Sequence, residues 1–132
     1  MKVEVSLGEV VDKVTILNLK DQHMTDASAL TNVRTERRTL LDAWAAEGLP
    51  PMDGLADWAG LQEVNGKLWA VEDELREHER HGDFGDDFVR RARAVYHLND
   101  ERARLKRSIN KALGSRLVEE KSYADYSTKD VE

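Results

Sequence analysis

The sequence NGKLWAVEDELREHERH-GDFGDD-FVRRARAVYHLNDERARLKRSIN, residues 65–110, decides the fold. Its apolar residues recur at intervals of three and four on both sides of a glycine-containing turn, which is the spacing of amphipathic helices. A connection this short makes the two helices antiparallel neighbours. The stretch therefore predicts a helical hairpin. It also places polar residues within the stripe that should be purely apolar.

Capping and termination signals predict two further helices. Ser6, followed three residues later by Glu9, forms a capping box at the start of the first helix. Gly48 ends the second helix, and Pro50 with Pro51 prevents its continuation. We predict an all-α fold: an antiparallel four-helix bundle-like arrangement in a single domain, residues 1–132. The predicted helices cover about 7–23, 29–46, 55–81 and 87–113.

Both chain ends are predicted to differ from the helical body. The first residues, up to Val5, alternate in polarity and predict a short extended segment. The tail, residues 114–132, has little helical periodicity, but it carries four apolar side chains. These are Leu117, Val118, Tyr123 and Tyr126. We expect them to anchor the tail on the bundle, with the charged residues 119–122 exposed and the last few residues frayed.

Composition narrows the class of protein. The chain has 132 residues, no cysteine and a net charge of −6, which argues against disulfides, thiol catalysis, and general binding to nucleic acids or anionic membranes. It lacks a membrane-spanning apolar run and the apolar core of a signal peptide, so a cytoplasmic location is the default prediction.

The charge is unevenly distributed along the chain. Residues 57–80 carry seven acids and three bases, whereas residues 90–111 carry eight bases and two acids. An acidic helix packed beside a basic helix explains this distribution. The alternative is that the basic stretch binds phosphate groups.

Seven polar residues are predicted to face inward. Asn65, Glu72 and Glu79 are spaced by seven residues and so lie on one helix face. The full candidate network or pocket consists of Arg37, Asn65, Glu72, Glu79, Asn99, Arg102 and Lys106. Burying unpaired charge costs several kcal/mol per ion. We therefore expect Glu72 to form an ion pair with at least one of the three cations.

Two interpretations of these residues remain open. The first is an internal salt-bridge network that fixes the register of the helices. The second is a pocket between helices, where Arg and Lys bind an anionic ligand and Glu acts as an acid or base. No metal or cofactor is predicted, since His78 and His81 lie at the solvated end of their helix and nothing completes a metal site.

Several motifs resemble those of a known family. They are VSLGEVVDKVTIL at 5–17, NVR at 32–34, NGKLWAVED at 65–73, GDF at 82–84, VYHLNDERARLKRSIN at 95–110 and LGSRLVEEKSY at 113–123. With VSxGExxDK near the start and VEEKSY near the end, the chain resembles a family of short, uncharacterised bacterial proteins, a domain of unknown function. The resemblance spans nearly the whole chain. It implies no activity and no functional residues.

Two functional hypotheses follow from the sequence. The first is a non-enzymatic helical binding or scaffold protein that associates with itself, with no nucleic acid and no membrane as partner. The second is a small enzyme or ligand-binding protein that acts on an anionic metabolite through the inward Arg, Lys and Glu side chains. They differ in whether these charges converge on a cavity open to solvent or pair with one another in a dry interior.

Overall fold

The computed structural model describes residues 1–126 and contains four α-helices. They are α1 (Leu7–His23), α2 (Ala27–Ala46), α3 (Trp58–His81) and α4 (Asp86–Leu113). A short 3-10 turn, Met52–Gly54, precedes α3. No strand is present in the described part of the chain. The prediction of an all-α, bundle-like fold is confirmed.

Local signals explain where the helices begin and end. The Ser6 hydroxyl accepts a hydrogen bond from the Glu9 amide at 3.2 Å, as the capping box predicted. Asp26 caps α2 through the Ala29 amide, so this helix begins two residues earlier than predicted. α3 begins at Trp58 rather than at residue 55, because the 3-10 turn ends in an extended Leu55. Glycines with a left-handed backbone conformation end α3 and α4.

Helix α1 is the central element of the fold, since it packs against each of the other three helices. Val11 and Val14 of α1 lie in the core cluster with residues of α3 and α4, including Leu61 and Ile109. α2 packs mainly on α1 and buries only Val33 and Trp44. The core is therefore formed mainly by α1, α3 and α4, and α2 and the 3-10 turn add one residue each, Trp44 and Met52.

The α3–α4 hairpin extends beyond this core. In these two fully described helices, no residue of α3 after Leu68 and no residue of α4 before Leu105 is buried. α1 ends where the His23 ring stacks on the Trp69 indole at 4.9 Å. We call residues 69–95 the arm. At 1.5 Å per residue, the α3 part of the arm is ~20 Å long.

The accessible surface agrees with this extended shape. It measures 9,143 Å², whereas a compact monomer of this mass exposes about 7,000 Å². The arm, residues 1–5 and residues 115–126 contribute to this excess of surface, because most of their side chains are exposed. The molecule consequently has more surface for contacts with other molecules than its chain length requires.

The C-terminal segment docks on α4, but chiefly through charge. Glu119 pairs with Lys106 at 2.9 Å, and Glu120 pairs with Arg107 at 2.6 Å. Tyr123 is 70% exposed. Residues 119–122 are exposed, as predicted, yet Glu119 and Glu120 form ion pairs with α4. The expected apolar anchoring is wrong for Val118 and Tyr123, which are exposed. The predicted fraying of the last few residues falls on 127–132, outside the described residues.

Aromatic packing supplies a second attachment of this segment. The Tyr126 ring packs edge-on against Tyr96 and His97, with centroids 5.1 and 4.8 Å apart, and its hydroxyl donates to Asp100. This hydrogen bond raises the pKa of Tyr126 to about 12. Of the four predicted anchors, Tyr126 has the best-defined contacts, while Leu117 is half-buried.

Gly8 allows α1 to approach α4 closely, and this contact can be tested. The Gly8 amide donates to Asn110 Oδ1 at 2.6 Å. A Cβ atom on Gly8 would lie within 3.0 Å of the Lys106 carbonyl oxygen, which is backbone and cannot move aside. We expect Gly8→Ala to lower the free energy of unfolding by ~1–3 kcal/mol, as overpacking does. Urea denaturation measures this loss.

Gly66→Ala is the matched control within α3. There the nearest atom to an added Cβ is a Leu19 methyl at 3.9 Å, an ordinary contact. Alanine has the higher helix propensity, so we expect this variant to be more stable by ~0.5–1 kcal/mol. Equal unfolding midpoints for the two variants would contradict the close approach of α1 and α4.

Candidate functional site

A buried polar cluster lies where α1 crosses α3. Asp12 is 1% exposed, and Thr15 and Asn65 are also buried. The Asn65 amide donates to Asp12 Oδ1 at 2.9 Å and to Thr15 Oγ1 at 2.8 Å, while the Thr15 hydroxyl donates to the Asp12 carbonyl. Each polar group therefore has a partner, as buried groups require.

Arg102 of α4 completes this cluster. Its Nε donates to Asp12 Oδ1 at 2.8 Å and its Nη2 to Oδ2 at 2.5 Å, a bidentate pair. The hydrogen bonds to Asp12 raise the pKa of Arg102 against the opposing effect of burial. α1, α3 and α4 are thereby joined through a single carboxylate.

A second ion-pair group surrounds Lys106. Its ammonium lies 2.7 Å from Glu9 of α1 and 2.9 Å from Glu119 of the C-terminal segment. Burial lowers the pKa of Lys106, but the hydrogen bonds to Glu9 and Glu119 outweigh it and raise the pKa. The same contact, together with Lys121, lowers the pKa of Glu119. These ion pairs connect the start of α1, the end of α4 and the tail.

A cavity of about 560 Å³ lies beside these two groups, between α4, the start of α1 and the C-terminal segment. Arg102, Lys106 and Asn99 line one part of it, and Tyr96, Tyr123 and Tyr126 line another. The volume is within the range of small-molecule pockets, ~300–1,000 Å³. Three of the predicted polar residues therefore meet at one cavity.

Asn65 lies close to this group, but the other predicted residues lie elsewhere. Glu72 and Glu79 are exposed, and among residues 1–126 neither forms an ion pair, so the expected pairing of Glu72 is wrong. The reason is the length of α1. It covers the stripe on α3 at Asn65 but ends at His23, so nothing covers the same stripe one and two heptads further on.

Arg37 belongs to a different contact, between α1 and α2. It donates to Asn18 at 3.0 Å and to Asp21 at 2.8 Å. Arg34 donates to the same carboxylate, and the hydrogen bonds from Arg37 and Arg34 lower the pKa of Asp21. Arg37 thus holds α2 on α1 and does not reach the cavity.

The sequence analysis missed Asp12 and Glu9 as members of the site. Gly8, Asp12, Thr15 and Leu19 follow one another at intervals of four, three and four, the spacing of an inward helix face. The spacing can be found in the sequence, but an apolar residue stands one position before each of Gly8, Asp12 and Thr15. These apolar residues form a stripe of the same spacing, which is the more obvious inward face. Of the residues described, no group of three or more His, Asp or Glu side chains is placed to hold a metal ion.

None of the helices in the described chain is long and apolar enough to cross a membrane. The model of a family of unknown function, DUF6165, matches residues 1–130. The chain belongs to this family. No curated protein and no solved structure matches it.

The bidentate pair predicts a large effect of substitution at Asp12. Asp12→Asn leaves Arg102 without a charged partner in a partly buried position and weakens the hydrogen bonds that join three helices. We expect a loss of ~3 kcal/mol in the free energy of unfolding, as for other broken buried ion pairs. Chemical denaturation followed by tryptophan fluorescence and circular dichroism measures it.

Asp21→Asn is the matched control, because Asp21 also pairs with arginine, namely Arg34 and Arg37, but its side chain is 23% exposed. Ion pairs at such positions contribute at most about 1 kcal/mol. If Asp21→Asn destabilised the protein as much as Asp12→Asn, the Asp12 cluster would not be the main polar contact of the fold.

Proposed function

We propose that this protein is a non-enzymatic binding and scaffold module of the cytoplasm that associates with itself through its arm. The observation that carries the proposal is the absence of any buried residue in the arm, residues 69–95, which are all described. Two helices alone bury too little apolar surface to form a core, and helical stability depends largely on such packing. A third and fourth helix from another molecule would supply it.

A groove on the arm supports this proposal. It is lined by Leu75, Phe88 and Ala92 at its floor, with Glu72, Arg76 and Glu79 along the α3 edge. Glu72 and Glu79 lie on the helix stripe that α1 covers at Asn65. The groove is therefore the continuation of a surface on which the protein already packs a helix, and its shape suits another helix.

Charge favours a second copy of this chain as the occupant. The α3 part of the arm, residues 69–81, carries five acids and two arginines, whereas the facing part of α4, residues 86–95, carries three arginines and two aspartates. Within one molecule, Arg91 pairs with Glu74 and Arg90 with Asp87, which leaves α3 with an excess of acids. In a two-fold symmetric pairing, the same patch of both molecules is used. The acidic α3 of one molecule can then lie against the basic α4 of its partner, so that the pairing is complementary.

The size of the arm sets the expected affinity. The face of the arm is ~20 Å long and as wide as two helices, each ~10 Å in diameter. Its footprint is therefore roughly 400 Å². This is less than the ~800 Å² per partner of a standard stable interface. We therefore propose a weak, concentration-dependent dimer, with dissociation in the micromolar range.

The alternative of an enzyme acting on an anionic metabolite has less support. Each cation at the cavity already has a carboxylate partner in the chain: Arg102 pairs with Asp12, Lys106 with Glu9 and Glu119, and Lys121 with Glu119. A multiply charged anion would meet as many acids as bases. Catalytic roles for the predicted Glu72 and Glu79 have no geometric basis, since both lie on the arm.

Val89 provides the test of this function. It is 50% exposed on the arm, one position from the groove residue Phe88. We expect the wild-type mass in sedimentation velocity to rise towards the dimer between about 1 and 300 μM, the range set by micromolar dissociation. Val89→Glu replaces an exposed apolar side chain of the arm, beside the groove, by a charge and should remain monomeric throughout.

Leu41→Glu is the matched control, because Leu41 is 38% exposed and lies on α2, outside the arm. It should dimerise as the wild type does. Wild-type protein that stays monomeric at the highest concentration would overturn the proposal. So would equal weakening of the dimer by both substitutions, which would locate the interface elsewhere.

A further inference from the structure

The cavity between α4 and the C-terminal segment is separate from the arm groove, and its chemistry points to a different ligand. We infer that this cavity binds a small monocarboxylate with an aromatic or apolar body. In the ligand-free protein, the carboxylate of Glu119 occupies the place of the ligand's carboxylate on Lys106. The inference does not depend on self-association through the arm.

Arg102 provides the first recognition element. One edge of its guanidinium, Nε and Nη2, is fixed by the buried Asp12. The other edge carries Nη1, whose contact is a long one, 3.4 Å to Asn99, although Arg102 lines the cavity. An arginine has five N–H donors in a rigid fork. The pair with Asp12 thus holds donors at the cavity wall in a fixed direction, which lowers the entropy cost of binding an oxygen ligand.

Lys106 provides the second element. Its side chain is 10% exposed and directs its ammonium between Glu9 and Glu119. Glu9 is held by the capped start of α1, whereas Glu119 belongs to an extended segment without regular structure. Glu119 is therefore the partner that can be exchanged. Replacing one carboxylate by another conserves charge around Lys106, which explains why a monocarboxylate fits and a phosphate dianion does not.

The remaining surface of the cavity determines the body of the ligand. Val95 and Ala103 are apolar lining residues on α4, and the side chains of Tyr96 and Tyr123 line the same space. Tyr123 is 70% exposed and can close over a bound ring at little cost. Aromatic rings prefer such offset or edge-on contacts. A ligand with a planar aromatic or compact apolar group next to its carboxylate satisfies both halves of the cavity.

Phenylacetate is a suitable probe, because it combines one carboxylate with one aromatic ring. Binding is measured by isothermal titration calorimetry and by NMR chemical-shift changes of the tyrosine and arginine side chains in the full chain. 2-Phenylethanol has the same ring without the charge, and inorganic phosphate has charge without a ring. We expect phenylacetate to bind, and both comparison compounds to bind at least about tenfold more weakly, because 2-phenylethanol lacks the charge-assisted hydrogen bonds and phosphate lacks the ring contacts.

Two adjacent glutamates allow a matched pair of variants. Glu119→Gln removes the internal competitor from Lys106, so the affinity for phenylacetate should rise by about fivefold or more, since more of the protein is then competent to bind. Glu120→Gln is the control: its carboxylate pairs with Arg107 and does not line the cavity. It should leave the affinity unchanged. Both positions are exposed on the tail, so neither substitution threatens folding.

Each outcome decides the inference. Tighter binding of phenylacetate in Glu119→Gln alone supports it. Absence of phenylacetate binding to both the wild type and Glu119→Gln overturns it. Equal effects of the two glutamine variants also overturn it, since the tail would then act through its overall charge. Stronger binding of phosphate than of phenylacetate would show a general anion site in place of the proposed one.

Discussion

The bidentate contact between Asp12 and Arg102 is the interaction on which the packing of this protein depends. A carboxylate at 1% exposure is costly to desolvate, and it is tolerated here because Arg102 and Asn65 donate hydrogen bonds to it. Thr15 supports the contact by accepting from the same Asn65 amide. Each of these partners comes from a defined position along its helix. The cluster therefore specifies how α1 lies across α3 and α4, which apolar contacts alone would leave less determined. Gly8 has the matching role at the start of α1, where its missing side chain lets the backbone reach α4.

The length of α1 is the second constraint. α1 has 17 residues, whereas α3 and α4 have 24 and 28, so α1 can cover only part of the hairpin. The polar stripe of α3 consequently has two environments. At Asn65 it is buried under α1, and at Glu72 and Glu79 it is open to solvent in the arm. The same sequence spacing thus leads to a buried network in one half and to an exposed groove in the other.

This difference explains what could be predicted from the sequence. The helices, their caps and the hairpin follow from local patterns, since each depends on residues three or four positions apart. Periodicity identified four polar residues on the parts of α3 and α4 that α1 covers. They are Asn65 on α3, and Asn99, Arg102 and Lys106 on α4. Glu72 and Glu79 share a stripe with Asn65, but periodicity does not reveal where the covering helix ends. Arg37 was placed correctly on the inner side of α2, yet its partner there is Asp21.

The tail illustrates a further limit of prediction from the sequence. Its docking was expected from its apolar residues, but Glu119 and Glu120 form ion pairs with Lys106 and Arg107 of α4, a contact between distant parts of the chain that periodicity does not reveal. Contacts of this kind contribute little each when exposed, about 1 kcal/mol or less. Glu119 differs from Glu120 because its partner, Lys106, is buried and is shared with Glu9. A segment that is held weakly over most of its length, and specifically at one buried cation, is suited to exchange with a ligand. The rigid Asp12–Arg102 pair remains in place beneath it.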